Sequence, residues 1–291
     1  MQPESATKTA VPRFEVCKVC GSGGLLPESD KWDLVRCPKC GFVFAGRRYE
    51  SEELADLYGT LYTPGGEYDM HLKQLASIQN HGKARIGFDR ETVLNTLLGY
   101  HPKTVVELGA GVGIVAAWLR PKGVSYRGFE FNPEVAAQAR KAGASIEPGD
   151  HNNLRGLQEP VDAIVAFEVI EHVQDISECL DSIRGALKPG GLFALTTPNY
   201  DKRLNNADHS VLGQPGPPIH LNFWNAESLR ETFERHGFSM VMLRERTRPF
   251  VDFHNWSSLL RAYGRWVTGR NHGNVLLCIA RREDAKGVPA A

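Results

Sequence analysis

The chain has 291 residues, of which 42% are hydrophobic and 23% charged. That suits a packed core of about 200 residues with a small appendage. Lys and Arg together equal Asp and Glu at 34 each, so no global basic excess recruits nucleic acid or an anionic membrane. There is no run of about 18 apolar residues to form a transmembrane helix, and the opening MQPESATKTAVPRF has no apolar stretch of signal-peptide length. A cytoplasmic protein with no membrane partner is the expectation. The charge is uneven, however. Between Val241 and Arg282 eight arginines face two acids, Glu245 and Asp252. That stretch suits an anionic group, or an ordinary solvated surface.

Residues 1–13 read as a flexible tail, as do 284–291. Residues 14–48 carry two cysteine pairs, Cys17-x2-Cys20 and Cys37-x2-Cys40, separated by sixteen residues. A glycine follows Cys20 and Cys40 directly. It lets the backbone turn into a knuckle whose amides point at the thiolates. Four thiolates at this spacing match tetrahedral Zn2+ in a zinc ribbon. The segment has few apolar side chains, so the metal's role is structural. Cys179 and Cys278 sit in apolar patterns and read as core residues.

Residues 49–100 read as a helical linker or lid that ends at His101-Pro102. From 101 to 283 strands and helices alternate. TVVELG is a strand and IVAAWLR a helix. VSYRGFEF is a second strand, and PEVAAQARKAG a helix opening on Pro133 and closing at Gly143. SIEPGD is a short third strand. VDAIVAFEV is a fourth, almost continuously apolar, as a strand buried on both faces should be. SECLDSIRGALK is a helix closed by Pro189-Gly190-Gly191, and GLFALTTP a fifth strand. AESLRETFERHG is a helix, SMVMLRERTR a sixth strand and NVLLCIARRE a seventh. This alternation implies an α/β fold with a doubly wound, mainly parallel sheet.

The first strand runs into Glu107-Leu108-Gly109-Ala110-Gly111-Val112-Gly113. An acid at the strand end can hold a cationic or hydroxylic group, and the glycines let a ligand rest against bare backbone. The second strand ends in Glu130, able to accept both hydroxyls of a ribose, and Phe131, able to lie against a purine. Asp150 ends the third strand and could take an adenine amino group, with His151 beside it. A dinucleotide dehydrogenase would carry a third glycine three places after Gly111, where Ile114 stands. A Gly-Lys-Ser/Thr phosphate loop is also missing.

Five segments in order, VVELGAGVG, GFEFNPE, the aspartate after strand three, VDAIVAFEVIEHV and LKPGGLFALTTPN, resemble the class I S-adenosylmethionine-dependent methyltransferases. The resemblance covers residues 103–200. It implies a Rossmann-like seven-stranded sheet whose last strand is antiparallel and inserted beside the sixth. It implies that Gly109, Ala110, Gly111 and Gly113 cradle the methionine part, with Glu107 close by. It implies Glu130 on the ribose, Asp150 near the adenine, and Phe167 and Glu168 facing the sulfonium. Alanine and valine in the first loop replace the family's commoner cysteine and threonine.

Methyl transfer to a hydroxyl or amine needs an aligned nucleophile and a route for its proton. Candidates fall in Glu168-Val-Ile-Glu171-His172 and in Ile219-His220-Leu221-Asn222-Phe223-Trp224, the latter beyond a Gly- and Pro-rich loop at 201–218 that could close over substrate. On a helical turn Glu168, Glu171 and His172 would share a face. Three readings stand side by side. His172 or His220 is a base oriented by Glu171. Glu168, Glu171, His172 and His220 hold a second divalent metal. Or the histidine merely packs near the cofactor. The wording resembles the metal-using small-RNA 2′-O-methyltransferases and ubiquinone-pathway O-methyltransferases. Aromatics at Tyr49, Tyr58 and Tyr62, and at Phe250, Phe253, Trp256, Tyr263 and Trp266, are candidate acceptor walls or helix-packing residues.

The resulting expectation is methylation of a small molecule, a sugar nucleotide or another phosphorylated or natural-product acceptor. A zinc ribbon ahead of such a core resembles the deoxysugar C-methyltransferases. An RNA methyltransferase and a non-catalytic partner-binding protein with a vestigial core are the alternatives. The near-neutral charge weighs against RNA. The oligomeric state stays open.

Overall fold

In a computed structural model the described residues are 11–50, 86–203, 216–246 and 274–283, with 52–54, 56–57, 73–74, 76–77, 80, 260 and 267. The remainder of the helical linker and of the arginine-rich stretch lies outside them, as do Tyr58, Tyr62 and the aromatics from Phe250 to Trp266.

The main sheet has seven strands. In chain order they are β4 (Thr104–Leu108), β5 (Ser125–Glu130), β6 (Ile146–Pro148), β7 (Val161–Phe167), β8 (Leu187–Pro198), β10 (Phe238–Glu245) and β11 (Val275–Arg282). Their spatial order is β10-β11-β8-β7-β4-β5-β6. β11 runs antiparallel to both neighbours, and the pairs from β8 to β6 are parallel. The sheet is therefore the Rossmann-like one expected, with the last strand inserted beside the sixth. β7 and β4 lie at its centre because they have apolar side chains for both faces. Ala163, Ile164, Val165 and Ala166 are fully buried.

Helices α1 (Phe88–Leu98), α2 (Ile114–Leu119), α3 (Pro133–Lys141), α4 (Ile176–Ala186), α5 (Tyr200–Arg203) and α6 (Ala226–Arg235) accompany the sheet. Several starts are written in the sequence. Asn132 accepts from the Glu134 and Val135 amides and Pro133 opens α3, while Asn225 and Ser228 form a reciprocal capping box on α6. Two apolar clusters cover the two faces of the sheet.

One helix end differs from expectation. α4 stops at Ala186, and Leu187-Lys-Pro-Gly-Gly opens β8 instead of closing the helix. Leu187 pairs with Val161 and is fully buried, and the Lys188 ammonium reaches Asp162 at 2.7 Å. Strand pairing and an ion pair outweigh the helix propensity of Leu-Lys here.

The N-terminal cysteine segment forms β1 (Leu26–Ser29), β2 (Leu34–Arg36) and β3 (Val43–Ala45). Arg13, which reads as tail in the sequence, bridges Arg47 and pairs with Asp33. A fourth strand completes this sheet, and it comes from a segment distant in sequence, beyond β8. It is β9 (Asn222–Phe223), paired antiparallel with β3 through Val43–Phe223 and Phe44–Asn222. The seam is apolar as well. The rings of Phe42 and Trp224 stack at 4.4 Å, and Cys17, Cys37 and Cys40 belong to the same buried cluster as Ile164, Leu180 and Phe193.

Candidate functional site

The carboxyl ends of β4, β5 and β7 meet at the point where the strand order reverses, the usual ligand crevice of an open α/β sheet. Gly109, Gly111 and Gly113 all have positive φ, at 67°, 53° and 87°. Gly109 is required twice over, because a Cβ there would lie 2.5 Å from Cγ2 of Val169 on the loop after β7. The glycine loop and the post-β7 loop thus touch through this residue.

Glu107 is 2% exposed and accepts a short hydrogen bond from the Tyr126 hydroxyl. Burial pushes its carboxyl up to about 8, against the Tyr126 bond and the Arg90 charge, with Glu130 adding to the rise. Glu130 accepts from the Gly111 amide at 2.8 Å and the Asn132 amide at 2.9 Å. Burial raises its pKa, and those amides pull the other way. A carboxylate fixed by backbone at the end of β5 fits a ligand with vicinal hydroxyls. Phe131, next in sequence, is 49% exposed beside it.

Asp150 caps the short 3-10 turn over His151–Gly156, accepting from the Asn152 amide at 2.8 Å. His151 is half-buried, and burial lowers its pKa. Phe167 ends β7 in a buried position. Glu168 follows with φ at +57°.

Glu171, His172 and His220 form the second group. One ligand atom from each lies within 4.8 Å of the others. The two imidazole rings meet edge to face at 4.7 Å. Thr197 donates to Glu171 Oε2 at 3.1 Å. His172 Nδ1 lies 2.9 Å from the Ile219 carbonyl, so that nitrogen carries the proton and Nε2 presents its lone pair, 4.0 Å from Glu171 Oε1. Burial lowers the His172 pKa, and the Ile219 carbonyl opposes this. A lone pair beside a carboxylate suits a base or a ligand of a divalent cation. Glu168 does not belong to this group. Residues 169–173 form a turn rather than a helix, and the left-handed Glu168 breaks the i, i+3, i+4 face that the sequence suggested.

The four ribbon cysteines converge too. Their sulfurs all lie within 4.8 Å of one another, with Cys17–Cys40 at 3.6 Å and Cys20–Cys37 at 3.5 Å. Thiolates around a tetrahedral ion with 2.3 Å bonds stand about 3.8 Å apart. Gly21 and Gly41 both have φ at 67°, and the Val19 amide points at Cys17 Sγ from 3.5 Å. The donor set and its backbone fit a metal knuckle pair.

Comparison with known proteins decides the family. The model described as "Methyltransferase domain" matches residues 84–243, more than half of the chain. This chain belongs to the S-adenosylmethionine-dependent methyltransferases. Its methyltransferase domain is similar to the mitochondrial ubiquinone biosynthesis O-methyltransferase of Mus musculus, at 24% identity over 232 residues, covering 72% of this chain and 61% of that protein. It is similar to the C-methyltransferase NovU of Streptomyces niveus, at 24% identity over 259 residues, covering 78% of this chain and 57% of that one. The matches thus span less than two thirds of either relative. A chain from the complex between the Haloferax volcanii Trm112 methyltransferase activator and a methyltransferase superposes with a TM-score of 0.54. At 19% identity, and with 75% of this chain and 97% of that one covered, it shows a shared fold.

Several methyltransferase residues at this crevice are not singled out by sequence. Arg90 of α1 lies 5.7 Å over the Phe167 ring and acts on the charge of Glu107. Tyr126 looks like any strand aromatic until its hydroxyl is seen on Glu107. Asn222 stands inside Ile219–Trp224, yet only the structure shows that its side chain holds the post-β7 turn.

Proposed function

We propose that this methyltransferase transfers the methyl group of S-adenosylmethionine to a small-molecule acceptor, with a hydroxyl as the attacked group. Glu107 and the Gly109–Gly113 loop would hold the methionine part, Glu130 the ribose, and Asp150 and His151 the adenine side. Glu171, His172 and His220 would receive the acceptor hydroxyl and take its proton. One observation carries this reading. The imidazole lone pair of His172 and the carboxylate of Glu171, on the loop whose Val169 packs against Gly109, sit together with His220. The bound cofactor supplies an electrophilic methyl on a sulfonium. The protein's part is alignment, exclusion of water and removal of a proton.

A second reading, a divalent cation in the same cluster, is favoured by the 4.8 Å clustering of the three ligand atoms and by the carbonyl on His172 Nδ1, a frequent support of metal-bound histidine. The ribbon cysteines would bind Zn2+ in a structural role.

The test is methyl transfer from labelled cofactor into a cell extract split into metabolite, lipid, RNA and protein pools, with and without added Mg2+. Label in the metabolite pool supports the proposal, and label confined to RNA or protein overturns it. His220→Ala should leave cofactor binding intact and slow turnover. Unchanged turnover would remove His220 from the mechanism. Turnover that rises with Mg2+ would select the cation reading.

A further inference from the structure

The turn that carries Glu171 and His172 has little regular structure of its own, so something else must hold it. Asn222 does so with its side-chain and backbone amide nitrogens. Its side-chain Nδ2 donates to the carbonyls of Ile170 at 2.8 Å and Val173 at 2.6 Å, the two residues that bracket Glu171-His172. Its backbone amide donates to the Glu171 carbonyl at 3.0 Å, beside the Leu221 amide at 2.7 Å. The residue is 1% exposed. The side-chain orientation is not ambiguous: two carbonyls require the NH2 end, and the remaining oxygen faces an N–H donor.

That donor is Lys18, between Cys17 and Cys20 in the first cysteine knuckle. Its Nζ lies 3.3 Å from Asn222 Oδ1, and over the rings of Phe14 at 4.6 Å and Phe44 at 5.3 Å. The same knuckle reaches the segment after the turn, where Ser177 Oγ donates to the Lys18 carbonyl at 2.6 Å. The end of the ribbon and the residue after it grip the segment that follows the turn. The Tyr49 amide and carbonyl both bond the Gln174 side chain, and Arg48 pairs with Asp175 at 2.8 Å. From 170 to 177 the acceptor-side loop is therefore fastened to the ribbon and to β9, which is itself a strand of the ribbon sheet.

We propose that Asn222 is a positioning residue for methyl transfer, and that Lys18 makes the first cysteine knuckle the support on which it rests. The ribbon then acts as a brace for the Glu171–His172 turn. This rests on the reading of that turn as the acceptor-side group, and the test separates the two.

The variants are Asn222→Asp, which is isosteric but replaces both donated N–H groups with acceptors, Lys18→Met, which keeps the stem and removes the donor, and Lys18→Arg, which restores one. Four quantities are read on the full chain. They are the thiolate-to-metal absorption of the Co2+-loaded protein, affinity for S-adenosylhomocysteine, the ring 15N signals of His172, and turnover with the metabolite fraction of a bacterial extract. In Asn222→Asp the absorption and cofactor affinity are expected to persist, the His172 signals to move, and kcat to fall on the order of tenfold or more with KM for S-adenosylmethionine unchanged. Lys18→Met should show the same pattern more weakly, and Lys18→Arg should return the His172 signals toward the parent. If Asn222→Asp does not fold, the Lys18 pair decides. Unmoved His172 signals in Lys18→Met, or in a folded Asn222→Asp, overturn the proposal. If the signals move while His220→Ala and Glu171→Gln leave turnover unchanged, the brace stands and the catalytic assignment of the turn falls.

Discussion

Glu107 should make cofactor binding release a proton. Its carboxyl is buried against Tyr126 and lifted to about 8, so at pH 7 it is about nine-tenths protonated before the cofactor arrives. An α-ammonium group placed beside it favours the ionised form. Ionising the carboxyl at pH 7 costs about 1.4 kcal/mol, or tenfold in affinity. About 0.9 proton should therefore leave for each ligand bound at pH 7. Between pH 6 and pH 7.5 the affinity for S-adenosylhomocysteine should rise about twentyfold, because the ligand's own amine stays largely charged in that range. The sign for the free protein is the reverse. An acid with a raised folded pKa favours the folded state at low pH, and that contribution fades as pH climbs from the unfolded value toward about 8. Calorimetry in two buffers of different ionisation enthalpy counts the proton directly. Glu107→Gln keeps a partner for Tyr126 and should abolish both the release and the slope. A parent protein that binds with no proton released and no slope across pH 6–7.5 would refute the reasoning.

Three further outcomes follow from single side chains. Gly109→Ala combines a φ of +67° with a Cβ 2.5 Å from Val169 Cγ2, so roughly 1–3 kcal/mol of stability should go together with cofactor affinity; a variant as stable as the parent to urea would contradict the contact. Cys37→Ala should strip the ribbon of bound metal and open residues 14–48 to protease, read by metal analysis and limited proteolysis; retained stoichiometric metal would dismiss the four-thiolate site. Asp162, despite burial, is brought to about 2 by the Lys188 ammonium and by donors from Thr104 and Lys103. After allowance for solvent screening it should contribute about 1 kcal/mol that is present above its unfolded pKa and lost as pH falls through about 2. Asp162→Asn should accordingly lower urea stability clearly at pH 7 and far less at pH 2.

The parts of the fold legible in the sequence are those whose cause is local. VDAIVAF reads as a central strand because a strand buried on both faces needs no polar alternation, and it is one. Asn132-Pro133 and Asn225 announce their helices because a cap is settled within four residues. The knuckle glycines follow from the cysteines they serve. Reading fails where distant chain decides. Leu187-Lys188 has helical propensity, but Val161 and Asp162 claim it for a strand. Glu168, Glu171 and His172 have helical spacing, but the turn is held open by bonds to residues 219–222. Of the four groups read as one cluster, three converge and Glu168 does not.

The ribbon shows the same divide from the other side. Its poverty of apolar side chains argued that only a metal could fold it. Yet Phe42 and Phe44 are fully buried, with Phe42 on the face of Trp224, and the sheet is completed by Asn222–Phe223. Such a segment packs as one unit with the main domain. Its core is shared, and the strand that shares it is the one that leaves His220 and fixes the Glu171–His172 turn. A metal bound at Cys17, Cys20, Cys37 and Cys40 would therefore stabilise more than the ribbon. By linkage, whatever holds the knuckles would also favour the arrangement of β9 and, through Asn222, that of the Glu171–His172 turn.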